Sequence, residues 1–353
     1  MKIHEKYINR CIQLAQNGLG TTYPNPLVGS VLTYKNSIIG EGWHQKAGGP
    51  HAEVNAIRAV KDQSLLKKAT IYVSLEPCSH YGKTPPCSDL IIASGIKKVV
   101  IGIVDPFAKV KGKGIKKLLD AGCEVSVGIL EDQCRELNKR FFTFHEKKRP
   151  YIILKWASTK NNFIAPLSKK ERAPVWITNK YSRQLVHKWR SEEQAILVGT
   201  NTAVADNPKL NTRLWEGSNP VRILLDQNLR TPKDSALFDR SIKTIVITSQ
   251  ASRDSFTKNE IGKNELILEA IDFNKEIAPQ IVEVLYTHEL QSVIIEGGGK
   301  TLQTFIDSGL WDEARIFTGE AMFPEGVKAP EFNGKLAGEH NLLSDKLKIY
   351  IND

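Results

Sequence analysis

The order His51-Ala52-Glu53, then Pro77-Cys78 and, nine residues on, Cys87, supplies one imidazole and two thiols in a pattern suited to holding a metal. One histidine and two cysteinates fill three of the four tetrahedral positions of Zn²⁺ and leave the fourth for water, the arrangement of a catalytic zinc. Zinc lowers the pKa of such a water towards about 7. Glu53 need not be a ligand: a carboxylate there can take a proton from the water and return it to a reacting group. Gly48-Gly49-Pro50 can deliver a tight loop into a helix that starts after His51. Pro86 suits a first helical turn that puts Cys87 at an N-terminus, where the helix dipole favours a thiolate. In the plainer reading His51 caps a helix and Cys78 and Cys87 are core thiols, but order, spacing and flanking prolines together favour the metal. Cys11, Cys123 and Cys134 fall in helix- or strand-like patterns and read as core.

A second constellation stands near the other end of the chain. In IIEGGGKTLQTFI an apolar run ends in Glu296, three glycines expose backbone N–H groups, and a helix begins near Thr301. Such a turn can bind phosphate, although a simple tight turn is an equal alternative. No G-x-G-x-x-G occurs, so an ordinary Rossmann site is excluded.

Positioning these residues falls to alternating elements. An amphipathic opening helix carries Ile8, Cys11, Ile12 and Ala15 on one face. Apolar runs follow at Leu27–Leu32 and Ser37–Glu41, then a helix over His51–Val60, a strand over Thr70–Glu76, the helical CSDLIIASG, a strand over Lys97–Val104, a helix over Lys113–Ala121 and a strand over Glu124–Gly128. Strands separated by helices predict an α/β layer with a largely parallel sheet. The charged HEKKRP (His145–Pro150) marks a boundary, giving domains of residues 1–149 and 150–353. Beyond it, YIILKWA and VWITN (Val175–Asn179) read as strands and Tyr181–Arg190 as a helix. AILVG, VRILLD, TIVITS and SVIIEGGG read as buried parallel strands whose C-terminal ends face a ligand crevice. Asn211–Pro220 and Gln250–Glu265 read as loops, and the tail from Glu320 is left unassigned.

The 353 residues favour two domains. With 41% hydrophobic and 25% charged residues, disordered, collagen-like and coiled-coil classes are excluded. No apolar run approaches the roughly 18 residues of a membrane span, and the start lacks a signal peptide's apolar core, so a cytoplasmic protein without a membrane partner is expected. Five cysteines, an odd number, argue against a disulfide framework. The net charge of +10 lies wholly in residues 1–150, which hold 23 Lys+Arg against 13 Asp+Glu. This suits an anionic ligand. An RNA-editing protein is the alternative, but no RNA-binding module or aromatic-interleaved basic run is present, so no nucleic-acid partner is expected. A homo-oligomer is expected.

PCSHYGKTPPC, TYPNPLVGSV (Thr22–Val31) and GGPHAEVNA (Gly48–Ala56) resemble the riboflavin-biosynthesis pyrimidine deaminases, which are often fused to a reductase. Zinc-dependent base deaminases commonly have two residues between the cysteines, with a glutamate as proton shuttle; this chain has the eight of Ser79–Pro86. The resemblance implies a cytidine-deaminase-like three-layer domain, with Asn25, His44, His80, Lys83 and Thr84 contacting a phosphorylated substrate. That substrate would be 2,5-diamino-6-ribosylamino-4(3H)-pyrimidinone 5′-phosphate, losing its C2 amino group as ammonia. The block WITN…VHKWR…AILVGTNTAVADNPKLNTR resembles the reductase half of the same family, itself similar in fold to dihydrofolate reductase. This implies NADPH as cofactor beside Zn²⁺. By matching position Ala157, Trp176, Thr202, Asp206, Gly298, Gly299, Lys300, Thr301, Leu302, Gln303 and Thr304 contact the cofactor, while Arg190, Leu210, Arg213 and Glu296 face the substrate. Lys155 and Asp206 stand near the reacting carbon. Lys155 could steer the phosphate or carry a proton, and Asp206 could hold the nicotinamide or assist protonation. Two positions depart from the family: Asn161-Asn162 replaces an Asp-Gly pair and Pro174 a serine. A deaminase with a degraded second domain is the alternative within the family.

Overall fold

The computed structural model describes residues 3–79, 81, 85–107, 110–169, 171–255 and 266–352. The chain forms two compact units, Met1–Lys148 and Arg149–Asp353.

The first unit opens with α1 (Ile3–Ala15), whose apolar stripe buries Tyr7, Ile8, Cys11, Ile12, Leu14 and Ala15. Then come β1 (Gly29–Tyr34), β2 (Ser37–Trp43), α2 (Ala52–Arg58), β3 (Thr70–Leu75), α3 (Cys87–Ala93), β4 (Lys98–Ile103), α4 (Lys113–Asp120), β5 (Glu124–Val127), α5 (Glu131–Leu137) and α6 (Lys139–Lys147). Among the described residues the strands form one sheet in the order β2-β1-β3-β4-β5. Side chains alternate across it. Leu32, Ile71, Val73, Val99 and Ile101 pack with Ala56, Ile57, Ile91 and Leu118 on one face, whereas Val31, Tyr72 and Val100 pack with Tyr7, Ile8, Phe141 and Phe142 on the other. The result is three layers. The sheet is mixed rather than largely parallel: β1 runs antiparallel to β2 and β3, and only β3, β4 and β5 are parallel. The cause is local. Lys35 and Asn36, at φ +49° and +61°, form a two-residue turn, and so short a link joins only antiparallel strands.

The second unit contains β6 (Tyr151–Ser158), β7 (Phe163–Ala165), α7 (Lys180–Glu192), β8 (Ala195–Gly199), α8 (Thr200–Asp206), β9 (Val221–Leu225), β10 (Thr244–Thr248), α9 (Gln250–Ser255), β11 (Leu266–Ala270), α10 (Ile277–Thr287), β12 (Ser292–Gly297), α11 (Gly299–Asp307), β13 (Glu313–Thr318), β14 (Val327–Lys328), β15 (Lys335–Leu342) and β16 (Asp345–Ile351). Its main sheet runs β11-β10-β9-β8-β12-β6-β13-β16-β15. Strands β11 to β13 are parallel, and the β15/β16 hairpin closes the edge antiparallel to β13. Strand β12 is inserted between β8 and β6, so the order reverses there; ligands of open α/β sheets bind at such a point, outside the strand C-termini.

Three expectations are corrected. Val175–Asn179 is not a strand: Val175 and Trp176 are exposed without a pairing partner, and Asn179 accepts N–H bonds from Tyr181 and Ser182 to start α7. Gln250–Ser255 is helical rather than loop, and residues 256–265 lie outside the described residues. The helix after the glycines starts at Gly299, two residues before Thr301. The charged segment 145–150 also begins inside α6, which ends where Lys148 turns left-handed at φ +55°. Arg149 then belongs to the second unit: its guanidinium donates two hydrogen bonds to the Asp312 carboxylate, at 2.6 and 2.7 Å.

Candidate functional site

Three elements of the first unit converge on the metal-ligand trio. His51 is the extended residue that precedes α2, Cys78 follows the end of β3, and Cys87 is the first residue of α3 after Pro86. The Nδ1 of His51 stands 3.6 Å from Cys78 Sγ and 3.3 Å from Cys87 Sγ. A tetrahedral zinc with bonds of about 2.0–2.3 Å separates its N and S ligands by roughly 3.5 Å, so the donor set fits that ion. Their ligand atoms all lie within 4.8 Å of one another. The Cys87 N–H points at Cys78 Sγ at 3.3 Å. The pKa of the Cys78 thiol is pushed down, first by its hydrogen bond with the Cys87 side chain, with His51 and the Cys87 N–H adding to the effect.

Glu53 sits in the first turn of α2 and is only 3% exposed. Burial raises its pKa, with the Cys78 charge adding. Behind His51, the ring of His44 meets it edge-on at 5.3 Å. His44 Nδ1 lies 3.0 Å from the Pro50 carbonyl, an obligate acceptor, so Nδ1 carries the proton and Nε2 accepts from Asn25 Nδ2 at 3.0 Å. Burial lowers the pKa of His44 and keeps the ring neutral. Asn25 and His44 are thus brought to the trio. His80, Lys83 and Thr84 lie outside the described residues. Cys11, Cys123 and Cys134 are buried free thiols, as expected. The sequence reading missed Glu76 and Asp105, both buried beside the trio. Burial raises Asp105 to about 7, and the charges of Glu76 and Cys78 contribute. An acidic residue next to proline at the end of a strand, in Glu76-Pro77 and Asp105-Pro106, was the available signal.

In the second unit β12 and β8 end side by side. Gly298 takes φ +83°, and a Cβ there would lie 3.2 Å from Thr301 Oγ1 and 3.5 Å from Thr202 Oγ1. A Cβ on Gly199 would meet Thr301 Oγ1 at 2.4 Å. Two hydroxyls and the first amides of α11 therefore surround a cradle that side chains would fill, which fits a dinucleotide phosphate. Leu302 is buried in the core, Gln303 bonds Asp307 and the Glu331 carbonyl, and Thr304 bonds the Lys300 carbonyl, so these side chains are engaged within the fold. Ala157 lies on β6, packed against the apolar cluster of Tyr151, Trp189 and Phe317.

A charged cluster adjoins. Arg190 donates to both oxygens of Glu296, at 3.0 and 2.6 Å, and to the Asn211 carbonyl at 3.2 Å. Arg213 donates to Asn211 Oδ1 at 3.0 Å. Burial works against the Glu296 charge, yet Arg190 and Lys155 hold it at about 2. Burial lowers Lys155, with Glu296 opposing. His187, which the sequence reading did not single out, is lowered to about 4 by burial and by Arg190. Lys155, Arg190, Arg213 and Glu296 thus come together. Asp206 pairs instead with Lys169. Leu210, at φ +48°, has its side chain packed with Ile196 and Leu224. Trp176 is half-exposed, with the Arg183 guanidinium 4.6 Å over its ring. At the family departure, Asn162 holds φ +65° and Asn161 donates to the Phe323 carbonyl at 2.7 Å; asparagine enters that left-handed region more readily than most residues.

The Glu296 link has a pH signature. Its carboxylate titrates near 2 in the fold against about 4.3 in an unfolded chain. The stability it adds is present above about pH 4.3 and is lost as pH falls towards about 2. Arg190→Met leaves that buried charge without its main partner and should cost about 3 kcal/mol. Urea unfolding of the second unit between pH 5 and 2.5 checks both: the parent loses stability over this range and the variant is flatter.

Residues 150–325 match the family described as RibD C-terminal domain, and residues 1–103 match the cytidine and deoxycytidylate deaminase zinc-binding region. The riboflavin biosynthesis protein RibD of Aquifex aeolicus is 40% identical over 350 residues, 99% of this chain and 95% of that protein. The RibD of Actinobacillus pleuropneumoniae is 42% identical over 318 residues, 88% and 82% of the two. A crystal structure of a diaminohydroxyphosphoribosylaminopyrimidine deaminase/5-amino-6-(5-phosphoribosylamino)uracil reductase from Thermotoga maritima shares 36% identity and a TM-score of 0.87, covering 99% of both chains. Acinetobacter baumannii RibD gives 31% and 0.88 over 100% of this chain and 99% of that one. A zinc-type trio with a buried glutamate in one unit, a glycine cradle beside a charged cluster in the other, and full-length similarity of this degree make the chain a member of the bifunctional RibD deaminase/reductase family of riboflavin biosynthesis.

Proposed function

We propose that residues 1–149 deaminate 2,5-diamino-6-ribosylamino-4(3H)-pyrimidinone 5′-phosphate and that residues 150–353 reduce the product with NADPH. The observation that carries the first half is the His51, Cys78, Cys87 trio at metal-ligand spacing with buried Glu53 beside it. His51, Cys78 and Cys87 would hold a zinc ion, which would supply Lewis acidity there. Glu53 would take a proton from the attacking water and pass it to a ring nitrogen, then take the second proton from the resulting C2 hydroxyl and pass it to the departing amino group, which leaves as ammonia; its buried place beside the trio suits this shuttle. Asn25 and His44 orient the ring through their fixed hydrogen-bond polarity. His80, Lys83 and Thr84 are assigned to the substrate phosphate.

In the second half a bound nicotinamide cofactor would supply the hydride needed to reduce C1′ of the ring-opened ribosyl imine to ribityl. Lys155, with its pKa lowered by burial, delivers the proton that completes the reduction. Glu296 fixes Lys155 and Arg190, and Arg190 and Arg213 draw the substrate phosphate. Thr202, Thr301 and the amides after Gly298 would hold the cofactor pyrophosphate, and Trp176 and Asp206 are assigned to the cofactor by family similarity. NADPH rather than NADH rests on family similarity. No described helix is long and apolar enough to cross a membrane. The free thiols fit a reducing compartment, and we assign the cytoplasm.

Incubation of the purified protein with the diaminopyrimidine phosphate, followed by mass analysis, tests both halves. Without NADPH the expected product is the deaminated pyrimidinedione with one ammonia released per substrate. With NADPH the ribityl product follows. Accumulation of the deaminated compound despite NADPH would leave a deaminase alone.

A further inference from the structure

The mechanism above leaves Glu76 unused, although it is one of the most fully engaged side chains of the first unit. It stands between the end of β3 and the ligand Cys78 and is 4% exposed. Its Oε2 accepts from the N–H groups of Asp105 at 3.3 Å and Gly112 at 2.9 Å, and its Oε1 from those of Gly114 at 2.9 Å and Ile115 at 3.3 Å. All four donors come from one stretch that follows β4 and enters α4, 29 to 39 residues further along the chain. The first amides of a helix have no partner within it. Gly112, the residue preceding α4, is left-handed and offers no capping side chain, so Glu76 caps the helix from the neighbouring strand.

A second contact welds the same two segments. A Cβ on Gly114 would lie 2.0 Å from the Pro77 carbonyl oxygen. Only glycine therefore permits the backbone of α4 to rest on the residue that precedes the metal ligand. The stretch held in this way begins with Asp105, whose carboxylate accepts from Phe107 N–H at 2.7 Å.

We propose that Glu76 is a positioning residue of the deaminase: by gathering four backbone N–H groups it fixes the Asp105 segment and the start of α4 against Pro77-Cys78, and so sets the shape of the pocket wall that receives the pyrimidine. This rests on the assignment of Cys78 as a zinc ligand, which zinc content and ammonia release by the parent protein test separately. Glutamate suits the task because two oxygens offer about four acceptor positions and no donor. Glutamine would turn an NH₂ group towards amides that are themselves donors.

The test is Glu76→Gln in the full chain, with Gly114→Ala as an independent way to part the same two segments. In both, zinc per chain and NADPH turnover on the deaminated intermediate should match the parent. The KM for the diaminopyrimidine phosphate should rise about tenfold or more, as expected when a pocket wall is displaced. In Glu76→Gln, hydrogen exchange at Gly112, Gly114 and Ile115 should quicken. A strut that only aids folding would lower turnover in proportion to the zinc-loaded fraction and leave KM unchanged; that result overturns the proposal, as do amides that exchange as slowly as in the parent.

Discussion

Glu53→Gln is expected to lower ammonia release by about 10²–10⁴-fold, the range for removing a general acid–base group, while zinc stays at one per chain. The reason is a division of labour between the metal-ligand trio and the neighbouring glutamate. His51 and the two thiols hold the metal, whereas the Glu53 carboxyl is buried beside them with a raised pKa. Glutamine keeps the size and polarity of that side chain and removes its ability to take up and release a proton. Cys87→Ser is the contrast. It removes a ligand at the start of α3 and should lose zinc and ammonia release together. Metal analysis by mass spectrometry on both variants, alongside an ammonia assay, separates the roles. Loss of zinc in Glu53→Gln would make the glutamate a ligand, and full occupancy in Cys87→Ser would remove Cys87 from the set. Glu53→Gln should still oxidise NADPH when given the deaminated intermediate, because the proposed reductase residues all lie beyond residue 150. Failure of a folded variant to do so would mean that the two activities are coupled.

Gly298→Val should raise the KM for NADPH at least about tenfold or abolish reduction, with deamination unchanged within about twofold. Two effects act in the same direction. At φ +83° a β-branched residue is strained by about 1–3 kcal/mol. Its side chain would also press on Thr202 and Thr301, whose hydroxyls stand 3.5 and 3.2 Å from the position of the new Cβ. The amides of α11 would then be screened from a phosphate that must approach the backbone closely. Steady-state kinetics and direct binding of NADPH by fluorescence check the outcome. Unchanged cofactor binding would remove this turn from the cofactor site, and a tenfold preference of the parent for NADH would overturn the choice of NADPH.

Much of this protein follows from local chemistry that sequence records. The trio is legible because His51, Cys78 and Cys87 each stand at an element boundary marked by a proline or glycine neighbour, at Pro50, Pro77 and Pro86. Buried parallel strands such as Ala195–Gly199 and Thr244–Thr248 are legible because burial on both faces requires uninterrupted apolar runs. Val175–Asn179 carries a similar run, but a strand needs a ladder of hydrogen bonds to a neighbour, and among the described residues this segment joins no sheet. The antiparallel start of the first sheet depended on the left-handed pair Lys35-Asn36, a weaker turn signal than Asn-Gly.

Local sequence alone determined the elements and the metal donors, because both depend on residue type at short spacing. Only the tertiary structure decided which distant groups meet. It turned Leu210 into the core, gave Asp206 the partner Lys169, and set Arg190 on Glu296. It also bound Glu76 to amides up to 39 residues away. Such pairings depend on how strands are ordered and how helices pack on them, and a buried carboxylate takes whichever donors that packing brings within reach.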